Sequence, residues 1–233
     1  RFRDDLYPGF HLREVTAGPG IRSSLARGVY VDFDLFFRWG QQRDFGPFDA
    51  ATRSKLSLAD DDVALGGELQ AAVVWDTRNN PIEATAGHML ALHADLSPGG
   101  PLGSHRYLVL APEARLLLPA TKSFSVGVRV AGTFIPVASD NGVPLGPRLF
   151  GGGSYGMRGF GLHRLSPTAN VCPTPDTCRE LVVGGRSLVE TSIEGRLLPR
   201  LKPYGAVIFS DLGGASANNN PFADGVSMSA GLG

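Results

Sequence analysis

The feature that most limits this chain's fold is an alternation of apolar and polar side chains, sustained over runs longer than ordinary strands. From Val29 to Trp39 the odd positions read Val29, Val31, Phe33, Leu35, Phe37 and Trp39, while the even ones include Asp32, Asp34 and Arg38. Successive side chains of an extended chain point to opposite faces, so one face here is wholly apolar and the other is charged. The pattern returns from Phe124 to Phe134, where Phe124, Val126, Val128, Val130 and Phe134 oppose Ser125, Arg129 and Thr133. It returns again from Ser187 to Leu197, with Val189, Thr191, Ile193 and Leu197 opposite Glu190, Glu194 and Arg196, and from Val226 to Leu232.

This rhythm predicts about nine strands, at 11–23, 25–39, 66–78, 86–97, 105–118, 122–135, 181–198, 203–213 and 225–233. Strands in soluble sheets mostly run to about 5–6 residues, whereas a tilted strand crossing a bilayer needs ~9–11. The connections near 118–122 and 199–203 are short, and those at 40–65, 136–180 and 213–225 are long. Short turns at one rim and long loops at the other are the habit of membrane barrels. A soluble β-sandwich also has one-sided strands, but it hides the apolar face against a second sheet and rarely needs strands this long. The expected fold is all-β, a transmembrane antiparallel β-barrel, with residues 1–233 a fragment of one domain.

Composition narrows the function. Twenty-two basic and 22 acidic residues give zero net charge, which argues against nucleic acid as a partner, since phosphate binding needs a basic field. No run of 18 apolar residues encodes a membrane helix. The opening Arg1-Phe2-Arg3-Asp4-Asp5 is no signal peptide, so an exported protein would have further chain upstream.

The long connection 136–180 holds Phe150-Gly151-Gly152-Gly153-Ser154-Tyr155-Gly156-Met157-Arg158-Gly159-Phe160. Gly152 to Gly156 fits the GxSxG pattern of a serine nucleophile, but that chemistry needs a strand before it and a helix after it. Gly151, Gly153 and Gly156 fit GxGxxG, without the βαβ unit that would make a dinucleotide site. His88 and His93 lie five apart on one strand, facing opposite sides, so they cannot share a metal. Glu190, Glu194 and Arg196 share a face, as do Glu113 and Arg115, in the manner of lumenal charge ladders. No catalytic residue, metal site or cofactor is expected. Cys172 and Cys178, in the same connection, suggest a local disulfide if the protein is exported. A zinc site would need two further ligands, and only His163 is near in sequence.

Gly152, Gly153, Arg158, Gly159 and Phe160 resemble the loop signature of the BamA/TamA-type outer-membrane assembly factors, a superfamily that includes two-partner secretion transporters. Met157 stands where valine is usual. Trp75-Asp76-Thr77-Arg78-Asn79-Asn80-Pro81 followed by Gly87, Gly184-Gly185, and Phe209-Ser210-Asp211-Leu212-Gly213 resemble further segments of that family, the last in the form F-x-D-x-G. The ordered matches run from about Gly66 to the end of the chain.

The resemblance implies a barrel of sixteen strands, of which roughly the last two are absent here, with the 136–180 loop folded back into the lumen. It implies that Arg158 locks that loop against lumenal Glu194 and Asp211, and that a Cys172–Cys178 bridge is in keeping with loops of BamA type. It also implies a non-enzymatic insertase in the outer membrane of a Gram-negative bacterium. Its partners would be nascent outer-membrane β-barrel proteins, periplasmic POTRA domains, accessory proteins and membrane lipid. The alternative is an FhaC-like transporter of two-partner secretion.

Overall fold

The computed structural model describes residues 2–7, 10–43, 51–52, 63–138, 142–171, 178–197 and 205–233. The strands are β1 (Phe2–Tyr7), β2 (Phe10–Ala17), β3 (Gly20–Ala26), β4 (Val29–Arg43), β5 (Val63–Asp76), β6 (Gly87–Pro98) and β7 (Arg106–Pro119). They continue as β8 (Phe124–Ala138), β9 (Thr168–Val171), β10 (Arg179–Val182), β11 (Ser187–Leu197), β12 (Ala206–Ser216) and β13 (Ser227–Leu232). Eleven of them form one sheet in the order β1-β2-β4-β5-β6-β7-β8-β11-β12-β13, with β3 also beside β4; β9 and β10 form a separate hairpin. Every pairing is antiparallel. Outside the β8–β11 excursion, each strand pairs with a neighbour in sequence, as local alternation and short turns dictate.

Eleven sheet strands replace the nine expected. The predicted strand 11–23 is two, because β2 covers Phe37–Arg43 of β4 and β3 covers Val29–Asp34. Between them Pro19 has no N–H to give to the ladder, though its carbonyl still accepts Leu35 N at 3.0 Å. The hairpin turn falls at Arg27–Gly28, three residues beyond the predicted one. β1 lies before the first predicted strand, where no alternation marks it. The predicted strand 181–198 begins instead at Ser187, since Gly184 takes φ 71 and ends the extended run of β10.

The two faces of the sheet differ as the alternation requires. Outward-facing Phe33, Leu35 and Phe37 are 60%, 53% and 57% exposed, an arrangement costly in water and favourable against lipid. The opposite face carries Glu68 and Asp211, only 2% and 1% exposed. Two described segments of the β8-to-β11 loop cover that face (142–171 and 178–186, including the β9–β10 hairpin), so the loop supplies the core that a sandwich would take from a second sheet.

Candidate functional site: a loop docked on the inner face

Register sets the docking surface. Across β7, β8, β11, β12 and β13, inward-facing residues line up in lateral rows. One row is Glu113, Ala131, Glu190, Gly213 and Ser227. The next is Arg115, Arg129, Ser192, Asp211 and Ser229, and the third is Leu117, Gly127, Glu194, Phe209 and Gly231. The loop tip spans all three rows over β11–β13.

Arg158 sits at the centre. Its Nε donates to Asp211 Oδ2 at 2.9 Å and its Nη2 to Asp211 Oδ1 at 2.5 Å, a two-pronged grip on one carboxylate. Its Nη1 donates to Glu194 Oε1 at 2.5 Å, and Nη2 also reaches Ser192 Oγ at 2.6 Å. Its backbone N–H donates to Asp211 Oδ2 at 3.0 Å. The guanidinium carbon lies 3.5 Å from the centroid of the Phe209 ring, a cation–π contact. The hydrogen bond to Asp211, with the nearby negative charges of Glu194 and Asp211, holds the guanidinium pKa above its ordinary value.

The neighbouring residues fix the tip's height. Met157 is fully buried, and a Cβ at Gly213 would stand 2.8 Å from its sulfur, so the glycine makes room for the side chain. The F-x-D-x-G segment thus supplies a ring beneath the arginine, a carboxylate for its fork and a hollow for Met157. Glu190 Oε1 accepts the backbone N–H groups of Gly152 and Met157, at 2.9 and 3.1 Å. Gly152 and Gly153 take φ values of 90° and 93°, the left-handed region that favours glycine, and Gly153 N closes the turn on Phe160 O at 2.9 Å. Gly159 N reaches Ser229 Oγ at 3.3 Å, and Phe160 packs on the cluster of Tyr107, Ile135, Met157 and Leu188. Among the predicted site residues, the structure therefore brings Gly152, Gly153, Arg158, Gly159, Phe160, Glu194 and Asp211 together.

A second attachment lies at the other end of the sheet's strand order, on β1 and β2. Tyr7 of β1 stacks on Phe10 of β2 (4.6 Å, 6°) and on His163 of the loop (4.3 Å, 19°), with Phe150 tilted against Tyr7. Tyr7 and Phe10 join Leu12, Leu145, Leu181 and Val183 in one buried cluster, with Phe150 packed against it. Because one loop touches β1–β2 and also β11–β13, the sheet must curl around it. Nearby, Arg38 Nη2 lies 2.7 Å from Glu68 Oε2, and Tyr107 donates its hydroxyl to Glu68 Oε1 at 3.1 Å. Gly146 of the loop covers this group, close to Glu14. Arg148, wholly enclosed, donates from Nε and Nη2 to the carbonyls of Val183 and Gly184; burial, with Arg186 adding to it, pushes its pKa down to about 9.

Sequence reasoning missed Glu190 and Ser192 as loop partners, and all of the aromatic clasp. Glu190 was visible as an inward charge; nothing in the local pattern links Tyr7 to His163. Ser154 and Tyr155, the centre of the GxSxG string, are exposed in a turn. Asp76 and Arg78 pair with each other, Arg78 donating from N, Nε and Nη2, and Asn79 binds Thr85 and Ala86, so that segment ties its own turn. Cys178 is disulfide-bonded; Cys172, the chain's other cysteine, lies outside the described residues.

The Omp85 superfamily domain matches residues 15–233. Among solved structures, BamA from Haemophilus ducreyi lacking POTRA domains 1–3 is similar in fold, with a TM-score of 0.79 at 13% identity. The likeness covers 99% of this chain and 50% of that one, so the present chain spans half the length of that relative. No curated protein matches in sequence. With nearly its whole length matched by the family, from the second strand to the last residue, this chain belongs to the Omp85 superfamily.

Proposed function

We propose that this chain is the membrane-embedded part of a BamA-like assembly factor, which helps nascent β-barrel proteins fold into the bacterial outer membrane without catalytic chemistry of its own. The observation that carries the reading is the loop tip docked through Arg158 onto Ser192, Glu194 and Asp211 beneath an outward apolar face. A barrel of this kind holds its lumen filled and its wall ordered while one seam remains free to open. An unpaired strand edge in lipid costs several kcal/mol for each unsatisfied backbone group, roughly 2–7 on transfer scales. A factor that lends its own edge as a template removes that cost. In this reading the curled sheet closes into a sixteen-stranded barrel with strands beyond those present. POTRA domains and accessory proteins deliver the substrate from the periplasm, and Arg158 with Gly152, Gly153, Gly159 and Phe160 forms the lock that keeps the loop inside.

The test is reconstitution of the full-length protein in liposomes, offered an unfolded β-barrel protein. Faster appearance of the folded, heat-modifiable substrate is the expected result, and Arg158→Ala should reduce it. No acceleration, with passage of an extended polypeptide into the liposome instead, would assign the chain to FhaC-like transport.

A further inference from the structure

The row that carries Ser192 and Asp211 continues sideways, beyond the loop tip, to two arginines. Arg115 of β7 and Arg129 of β8 stand directly opposite each other in register. Like charges so placed repel, and a sheet tolerates them only with a counter-charge. One carboxylate serves both: Glu113 Oε1 accepts Arg115 Nε and Arg129 Nε, each at 2.7 Å. The group therefore carries one net positive charge. Among the described residues no side-chain hydrogen bond engages the terminal Nη nitrogens of either arginine.

Both arginines line a cavity of about 150 Å³. Tyr155 of the loop tip and Ile82 of the β5–β6 turn also line it, and both are almost fully exposed. Arg78, Arg158, Glu194 and Arg196 line it too, but Asp76 holds Arg78, Asp211 and Glu194 hold Arg158, and the other oxygen of Glu194 holds Arg196, so these charges cancel among themselves. The volume equals about five waters at ~30 Å³ each, enough for a carboxylate with part of its hydration. A guanidinium fork matches two oxygens of one oxyanion, and two forks tethered by their Nε atoms are already oriented, so little freedom is lost on binding.

We propose that Arg115 and Arg129 form an oxyanion site for a carboxylate, carried either by an acidic side chain of a polypeptide entering the lumen or by a small free acid. The site stands on the charge count and geometry of β7 and β8, independently of the assembly role.

The test uses full-length protein in detergent, with Tyr155→Cys carrying an environment-sensitive fluorophore. Sodium acetate, a capped oligoglutamate peptide and sodium chloride are titrated at constant ionic strength. A saturable change with a carboxylate and none with chloride is expected. The midpoint should rise about tenfold in Arg115→Gln and in Arg129→Gln, the loss of one charge-assisted contact. Response to the peptide alone assigns the site to polypeptide; an equal response to acetate assigns it to small acids. Arg129→Lys keeps the charge beside Glu113 but not the fork, and should also shift the midpoint if the glutamine variants fail to migrate as folded barrels. A chloride response equal to that of acetate, or an unshifted midpoint in Arg129→Lys and the folded glutamine variants, overturns the proposal.

Discussion

Asp211 receives Arg158 three times, from the backbone N–H at 3.0 Å, from Nε at 2.9 Å and from Nη2 at 2.5 Å. One carboxylate, 1% exposed, thereby fixes both the main chain and the side chain of the loop tip. Glu194 takes only Nη1 of Arg158 and shares its other oxygen with Arg196. The two acids are therefore unequal partners.

Arg158→Ala leaves Asp211 enclosed without its counter-charge. Because Arg158 keeps 19% of its side chain exposed, the loss should be about 2 kcal/mol, below the ~3–5 typical of a fully buried pair. The loop should be cut faster by protease while the full-length protein still shows heat-modifiable migration. In double-mutant cycles read by that cleavage rate, coupling of Arg158 to Asp211 should exceed coupling to Glu194, within the usual ~0.5–3 kcal/mol. Additivity in both cycles would falsify the lock.

Gly159 lies so close to β13 that an added Cβ would collide with Ser229 Cβ. Gly159→Ala should lift the loop tip and cost about 1–3 kcal/mol, as overpacked contacts do. Ser229→Gly in the same protein should restore protection of the loop from protease. Failure of the second change to rescue would show that the tip does not rest on β13.

His163 holds φ 62, a left-handed conformation rare for a residue with a Cβ, while its ring stacks on Tyr7. His163→Ala loses the ring and keeps the strain; His163→Gly loses the ring and relieves it. Amide exchange in the loop should accelerate in both, and by about 1 kcal/mol more in alanine than in glycine. Unchanged exchange in the alanine variant would mean that the clasp contributes nothing.

Phe33 and Asp34 are neighbours on β4 with opposite orientations. A membrane-impermeant thiol reagent should modify Asp34→Cys in the membrane-embedded protein and leave Phe33→Cys untouched. Phe33→Arg should cost ~2–4 kcal/mol if the position lies near mid-bilayer. Labelling in the reverse order would place the wrong face of β4 against lipid.

Alternation alone determined the faces: Phe33, Leu35 and Phe37 outward, Asp32 and Arg38 inward, and likewise Ile193 against Glu190 and Glu194. This is legible because the period of two belongs to the single extended chain, before any partner strand is known. The inward acid Glu194 was legible for the same reason, whereas the Gly-rich loop with Arg158, and its placement against Glu194 and Asp211, came from the family resemblance. The break at Pro19 that divides the first long strand could be read only weakly, since Pro is tolerated at strand ends as well as at breaks. Which row the loop would meet was not written locally. Ser192 joins Arg158 because the β11–β12 register sets it opposite Asp211, and Arg115 meets Arg129 because the β7–β8 register does the same. The stacking of Tyr7 on His163 lies further still from any local pattern. It depends on the curl that brings the first strands back to a loop more than a hundred residues away, and only the tertiary structure decides that, because curvature accumulates over every strand pair between them.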